Sequence, residues 1–191
     1  MENRTILFVD DESGILNSLG RLMRSEPYHS LFAGSGKEAL DILEEEIVHV
    51  IVTDIGMPDM DGFRLLGLVN KKNSDIIPVV LSVNANIDAV LKAINEGNVY
   101  RYIIKPWNNT ELKGIIRQAV NLFDLEEAKR ALLKRLEEHN LLLEEMVEKR
   151  TKQLLEIQSQ AEIGKHASQI VHNLNNPLQA IVGGVGVMRL S

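Results

Sequence analysis

The feature that most constrains the fold is a regular alternation of short apolar runs with amphipathic stretches between Thr5 and Trp107. Five runs are rich in β-branched residues and apolar at successive positions, so we predict five strands. They are Thr5–Val9, Ser30–Ala33, Val48–Thr53, Val79–Ser82 and Tyr100–Ile104. Continuous apolar runs are typical of parallel strands buried on both faces. Helical stretches separate them, including one around residues 87–94. The pattern predicts a doubly wound α/β domain with a parallel sheet.

The composition of the 191 residues excludes several classes of function. The chain contains no cysteine, which excludes a disulfide scaffold, thiol catalysis and cysteine-ligated zinc. The 27 acidic residues outnumber the 21 lysines and arginines, which argues against nucleic-acid binding. No apolar run approaches the roughly 18 residues of a membrane span, and the N-terminus lacks a signal pattern. We expect a cytoplasmic protein without a membrane span.

Chemically useful side chains follow the ends of the predicted strands. Asp10 and Asp11 follow the first strand and Asp54 follows the third, while Ser82 and Lys105 end the fourth and fifth. Ligands of such sheets bind beyond the carboxyl ends of the strands, so these groups should converge. Clustered carboxylates repel one another unless a cation joins them, and Mg²⁺ prefers oxygen ligands and phosphate. The sequence therefore predicts a magnesium site for phosphoryl chemistry.

Asp54 is the candidate nucleophile, because a carboxylate can accept a phosphoryl group to form an acyl phosphate. Lys105 and the Ser82 hydroxyl would bind phosphoryl oxygens. The alternative is that the aspartates are ordinary turn and helix-cap residues. That alternative explains a lone Asp after a strand well, but it does not explain why four of the strand ends carry the groups that the reaction needs.

The same residues resemble a known family. Val9–Glu12, Asp54–Gly62, Ser82 and Lys105–Pro106 together are similar to the conserved positions of response-regulator receiver domains. The resemblance covers about the first 120 residues. It implies a flavodoxin-like sheet of strand order 2-1-3-4-5 and a cis bond between Lys105 and Pro106.

The resemblance also implies roles for individual residues. Asp54 would be phosphorylated, and Mg²⁺ would be bound by Asp11, Asp54 and the backbone carbonyl of Gly56, with Asp10 acting through water. Tyr102 matches the aromatic residue that turns inward in this family when Ser82 bonds the phosphoryl group. The alternative for Tyr102 is an ordinary half-buried strand residue.

A second region follows the strands and predicts one long helix. Residues 110–150 contain no proline and are rich in Leu, Glu, Lys and Arg. Seven positions with alternating spacings of three and four define a heptad seam. They are Leu122, Leu125, Lys129, Leu132, Leu136, His139 and Leu143. The seam continues at Val147 after two successive spacings of four, which is a stutter. Residues 147–154 resemble the signalling helix of histidine kinases, and we expect a parallel homodimer.

The C-terminal segment resembles the phosphoacceptor box of a histidine-kinase dimerisation domain. The resemblance rests on Val171–Leu178, in which a histidine precedes Asn-Pro. It implies that His172 carries a phosphoryl group and that Asn176 orients a water for the reverse reaction. Asn173 stands where the family has an acid, and an amide cannot take up the proton. The alternative is an exposed helical histidine before a proline kink.

These observations predict a receiver domain over residues 1–121, a coiled-coil signalling helix over 122–158, and the first helix of a truncated dimerisation domain over 159–191. No ATP-binding domain is apparent, so the chain as given would not use ATP. We expect the N-terminal part of a hybrid histidine kinase. Its partner would be an ATP-binding domain beyond residue 191 or a separate phosphodonor kinase. The competing hypothesis is a dimeric phosphate-sink or interaction protein, phosphorylated on Asp54 in trans, with His172 inactive.

Overall fold

The computed structural model describes residues 4–83 and 99–187, with the backbone alone for residues 165 and 172–187. In chain order the described elements are β1 (Thr5–Val9), α1 (Ser13–Met23), β2 (His29–Ala33), α2 (Gly36–Glu45), β3 (Val50–Asp54), α3 (Gly62–Lys72), β4 (Ile77–Ser82), β5 (Arg101–Ile104) and α4 (Asn109–Val187). The helix predicted around residues 87–94 lies outside the described residues, as do the side chains of His172 and Asn176.

The described strands form one parallel sheet of order β2-β1-β3-β4-β5, which confirms the predicted fold class. Strand β4 begins at Ile77, two residues earlier than predicted, and includes Pro78. Proline has no backbone N–H, but its carbonyl still accepts a hydrogen bond from the Tyr100 N–H at 2.8 Å. The strand therefore extends through the proline.

Each central strand is buried on both faces, as its continuous apolar sequence predicts. In β1, Leu7 and Val9 join the core on one side, while Ile6 and Phe8 join a second core on the other. Strand side chains alternate between faces, so one strand contributes to both cores. The first core includes the apolar residues of α2 and α3. The second includes those of α1 and the start of α4.

The start of helix α4 is capped by Asn108. The Asn108 side-chain oxygen accepts hydrogen bonds from the backbone N–H groups of Thr110 and Glu111, at 2.8 and 3.2 Å. This satisfies two of the four N–H groups that a helix start leaves without partners. The helix runs for 79 residues. Phe123 is its last buried residue within the part whose side chains are described.

The chain divides into two compact units, Met1–Ala131 and Leu132–Ser191. The second unit is helical up to Val187, and its described side chains are exposed, including those of Leu132, Leu143 and Leu154. No helix in residues 4–83 or 99–187 is both long and apolar enough to cross a bilayer.

Candidate active site

Four of the predicted residues are buried at the carboxyl ends of the strands. Asp10 follows β1, Asp54 ends β3, Ser82 ends β4 and Lys105 follows β5. Their exposed fractions are 0%, 6%, 8% and 9%, respectively. Charged side chains are seldom this buried unless they are paired. Two acids, one base and one hydroxyl thus lie together at the carboxyl ends of the strands.

Lys105 connects the two buried acids. Its Nζ donates a hydrogen bond to Asp10 Oδ2 at 2.6 Å and lies 2.8 Å from Asp54 Oδ1 as an ion pair. Burial works against the charged lysine, but the contacts and negative charges of Asp10 and Asp54 outweigh it. The pKa of Lys105 is therefore raised above its ordinary value. The backbone N–H of Lys105 donates to the Ser82 carbonyl at 2.8 Å, which fixes the end of β5 against β4.

The two oxygens of Asp54 differ in their surroundings. Oδ2 accepts a 2.6 Å hydrogen bond from the Gly56 N–H. Oδ1 is buried and has the Lys105 ion pair but no aligned hydrogen bond among the described residues. Asp10 is held similarly, since its Oδ1 accepts the Glu12 N–H at 3.0 Å. Both carboxylates are fixed in place by the turns that follow their strands.

The loop after β3 returns close to Asp54. It contains Asp59, whose φ of 66° lies in the left-handed region that non-glycine residues rarely adopt. It ends at Asp61, whose side chain caps α3 by accepting the Arg64 N–H at 2.8 Å. Gly62 follows, and its N–H donates to the Ile55 carbonyl at 3.1 Å. The end of the loop is thereby joined to its beginning, next to the Asp54 backbone.

The predicted metal ligands are only partly brought together. Asp10 and Asp54 share one lysine, whereas Asp11 is exposed. No group of three acidic, histidine or cysteine side chains with metal-binding geometry occurs in the described part of the chain. The charge of this site nevertheless suits a divalent cation, because the buried carboxylates of Asp10 and Asp54 carry more negative charge than the Lys105 ammonium balances. Carboxylate and carbonyl oxygens of this kind are the ligands that Mg²⁺ prefers.

Two further expectations concern β5. The Lys105–Pro106 peptide bond is cis, as the resemblance implies. Tyr102 is half-buried and packs against the core on the α2 and α3 side. Its hydroxyl is buried and has no hydrogen-bond partner among the described residues. The side chain is therefore turned into the domain, while its role as a switch stays a prediction.

Comparisons with known proteins agree with this geometry. The family model described as the response regulator receiver domain matches residues 6–117, which is more than half of the chain. The hydrogenase transcriptional regulatory protein HoxA of Bradyrhizobium diazoefficiens is 34% identical over 123 residues. That match covers 64% of this chain and 25% of the relative. The chain thus spans about a quarter of the length of this curated relative.

Solved structures of receiver domains and response regulators have a similar fold. The signal receiver domain of an HD domain-containing protein from Pseudomonas fluorescens Pf-5 is 32% identical, with a TM-score of 0.62, and the match covers 64% of this chain and 98% of that one. The response regulator TrrA of Thermotoga maritima, in complex with Mg²⁺ and BeF, is 28% identical, with a TM-score of 0.55. That match covers 61% of this chain and 98% of TrrA.

Proposed function

Since this chain belongs to the response regulator receiver domain family of two-component signalling, we propose that Asp54 accepts a phosphoryl group and that α4 passes the change to a histidine kinase. The observation that carries the first part is the contact of one buried lysine, Lys105, with both Asp10 and Asp54. This arrangement holds the Asp54 carboxylate in place next to a cation where phosphoryl oxygens would arrive.

The reaction transfers a phosphoryl group from a donor to Asp54. One carboxylate oxygen attacks the phosphorus, a carboxylate O–P bond forms, and the bond between phosphorus and the donor atom breaks. The donor leaves with the electron pair of that bond and takes up a proton. Such a transfer depends mainly on positioning and on stabilising the phosphoryl oxygens. Lys105 supplies a fixed positive charge, and the Ser82 side chain lies at the same edge of the sheet.

Asp10, Asp11, Asp54 and the carbonyl of Gly56 are the groups that would hold Mg²⁺. The bound ion would neutralise part of the negative charge on the transferred group. Asp10 and Asp54 are already oriented by the backbone N–H groups of Glu12 and Gly56. The structure of TrrA, which is a complex with Mg²⁺ and BeF, supports Mg²⁺ as the ion.

We further propose that the long helix forms a parallel homodimer and transmits the state of Asp54. An isolated helix that exposes Leu136, Leu143 and Leu154 would be only marginally stable in water, and a second copy would cover this stripe. The spacing of four between Leu143 and Val147 interrupts the heptad pattern there. Two helical registers are then close in free energy, and phosphorylation would shift the population between them.

His172 is the proposed phosphoacceptor of the kinase, with Asn176 positioned to orient water. The support is the sequence pattern of Val171–Leu178, together with a helical backbone through this segment. The donor for Asp54 is either a histidine-kinase ATP-binding domain acting through His172 or a separate kinase. Asn173 favours the alternative, a phosphate-sink or interaction protein, because it lacks the carboxylate that would take up a proton from the imidazole.

The phosphorylation of Asp54 is tested by incubating the chain with acetyl phosphate, with and without Mg²⁺, and measuring its intact mass. We expect a single phosphoryl adduct in the presence of Mg²⁺ and none in Asp54→Ala. Asp41→Ala is the matched control, since Asp41 is exposed on α2 and should be modified like the wild type. An adduct that forms equally in Asp54→Ala would refute the proposal.

The role of His172 is tested separately with a histidine-kinase ATP-binding domain supplied in trans. A His172→Gln variant should lose phosphorylation from ATP while it still accepts phosphoryl groups from acetyl phosphate. If the wild type is not phosphorylated from ATP at all, while Asp54 is phosphorylated by the small donor, the phosphate-sink alternative is favoured.

A further inference from the structure

A second cluster of interacting side chains lies at the opposite ends of the strands from Asp54, and the phosphorylation chemistry does not use it. His49 directly precedes β3 and is only 9% exposed. Arg4 directly precedes β1, and Phe123 is the last buried residue of α4 among the described side chains. These three residues form what we call the root cluster, because it lies where α4 stops packing against the core.

The imidazole of His49 is tied to the backbone of β1. Its Nδ1 accepts a 3.0 Å hydrogen bond from the Thr5 N–H, and its own backbone N–H donates to the Thr5 carbonyl at 3.0 Å. An Nδ1 atom that accepts a hydrogen bond carries no proton. The observed contact therefore requires the neutral imidazole with its proton on Nε2.

The ring of Phe123 joins this histidine to the helix. The two rings meet edge to face, with centroids 4.8 Å apart and an interplanar angle of 81°. The Arg4 guanidinium lies over the Phe123 ring at 5.1 Å from the centroid. Arg4 also forms ion pairs with Asp124 at 2.8 Å and Glu127 at 2.6 Å. One histidine and one arginine thus hold consecutive turns of α4 against the beginnings of β1 and β3.

We propose that His49 acts as a latch. When its ring is neutral, it holds α4 at Phe123 against the beginnings of β1 and β3, and when the ring is protonated, it releases this part of the helix. Protonation places a hydrogen on Nδ1, which then faces the Thr5 N–H donor and loses that bond. It also puts a second positive charge beside Arg4. Asp124 and Glu127 are the acidic groups that oppose this effect, but both are already paired with Arg4.

The direction of the pH response follows from the charges that face His49. Burial and the nearby Arg4 charge lower the pKa of His49 below its ordinary value of 6.5, while a hydrogen bond with the Thr5 backbone and the charges of Glu127 and Asp124 act in the other direction without outweighing them. A folded state that lowers the pKa of a base is stabilised when that base is neutral. The closed latch is therefore complete at neutral pH and weakens as the pH falls below 6.5. This inference is independent of phosphorylation at Asp54.

The test uses the absence of cysteine in the chain. Cysteines introduced at Glu45 and Ala128, both exposed, accept spin labels at the end of α2 and just beyond the root cluster. With unlabelled chain added in excess, electron–electron distance measurements report on one chain. We expect a narrow distance distribution at about pH 8 and a broad one at about pH 5. The Thr5 amide NMR signal should shift over the same pH range as the His49 ring.

Three variants separate the latch from a general loss of structure. His49→Phe keeps a ring against Phe123 but cannot be protonated, so the distance distribution should no longer change with pH. Arg4→Gln removes a neighbouring positive charge, so the midpoint of the His49 titration should move to higher pH. His29→Gln, at an exposed position of β2, should change neither measurement.

Two results would overturn the proposal. In the first, His49 titrates while the Thr5 signal and the label distance stay constant. In the second, the broadening persists unchanged in His49→Phe. If His49→Phe does not fold, the Arg4→Gln titration decides, because an unmoved or lowered midpoint contradicts the electrostatic argument.

Discussion

Gly62 approaches Asp54 so closely that a Cβ atom at position 62 would lie 2.2 Å from the Asp54 carbonyl oxygen. Atoms at that separation overlap severely, and the neighbour is backbone that cannot rotate away. The close approach places the first turn of α3 directly against the end of β3. The two ends of the loop between β3 and α3 are therefore packed against each other.

Replacing Gly62 should therefore be costly. We expect Gly62→Ala to lower the free energy of unfolding by about 1–3 kcal/mol, the usual range for overpacking a tight site. Gly67→Ala is the matched control in the same helix, because a Cβ at Gly67 meets nothing within 4 Å. It should raise stability by roughly 0.5–1 kcal/mol through helix propensity. Urea denaturation measures both, and equal effects of the two substitutions would contradict the close approach.

Removing the shared lysine should leave two buried acids without a cation. We expect Lys105→Met to cost about 3–5 kcal/mol at neutral pH, as for other broken buried pairs. Lys37→Met, at an exposed position of α2, should have little effect. Urea denaturation at about pH 7 measures both variants, and an equal cost for Lys105→Met and Lys37→Met would count against the pairing.

Magnesium should stabilise the folded chain. A ligand that binds only the folded state at a hundred times its Kd contributes about 2.7 kcal/mol, so the thermal midpoint should rise with Mg²⁺ concentration. Asp11→Asn removes a proposed ligand and should reduce the rise, whereas Asp41→Asn should not. Calorimetry or circular dichroism gives the midpoints. An equal rise in both variants would exclude Asp11 from the site.

Charge on the helix seam should prevent dimerisation. Leu143 lies on the predicted seam and Leu141 lies off it, although both are exposed in the single chain, at 43% and 63%. A dimer loses two leucine side chains in Leu143→Lys, each contributing about 1.5–3 kcal/mol when buried. We expect the Kd to rise on the order of a hundredfold or more. Leu141→Lys should change it little in sedimentation equilibrium, and a reversed order would refute the seam.

Restoring an acid next to His172 should aid its phosphorylation. We expect Asn173→Glu to increase phosphorylation from ATP when a histidine-kinase ATP-binding domain is supplied, because a carboxylate can accept the imidazole proton. Asn173→Gln keeps an amide of similar size to glutamate and serves as the control. Radiolabel incorporation that is the same in both variants would remove residue 173 from the mechanism.

The sequence predicted the fold and the central site because both depend on repeating local patterns. Buried parallel strands require continuous apolar runs, and the carboxyl ends of those strands must meet at one edge. Asp10, Asp54 and Lys105 were therefore predicted to converge, and the structure brings them together. Strand ends were less predictable. The sequence pattern predicts that β4 begins at Val79, because proline has no backbone N–H to donate to a neighbouring strand. The strand begins at Ile77 instead, because the Pro78 carbonyl still accepts a hydrogen bond from the Tyr100 N–H.

The root cluster was not predicted from the sequence. Arg4 and Asp124 are 120 positions apart, and neither belongs to a motif. A histidine before an apolar run is an ordinary residue until the fold places it against Phe123. Gly62 belonged to the motif after Asp54, but its contact with the strand depends on the path of the intervening loop. Contacts of this kind form between residues that are far apart in the sequence, so local sequence patterns do not predict them.

The sharing of one lysine between two acids has a consequence for the lifetime of the modified state. Before modification, Asp10, Asp54 and Lys105 together carry one excess negative charge in a region screened from water. A phosphoryl group on Asp54 would add negative charge that Lys105 alone does not balance. The proposed Mg²⁺ would supply the missing positive charge at this edge of the sheet. We therefore expect the lifetime of the modified state to depend on the bound ion as well as on Lys105.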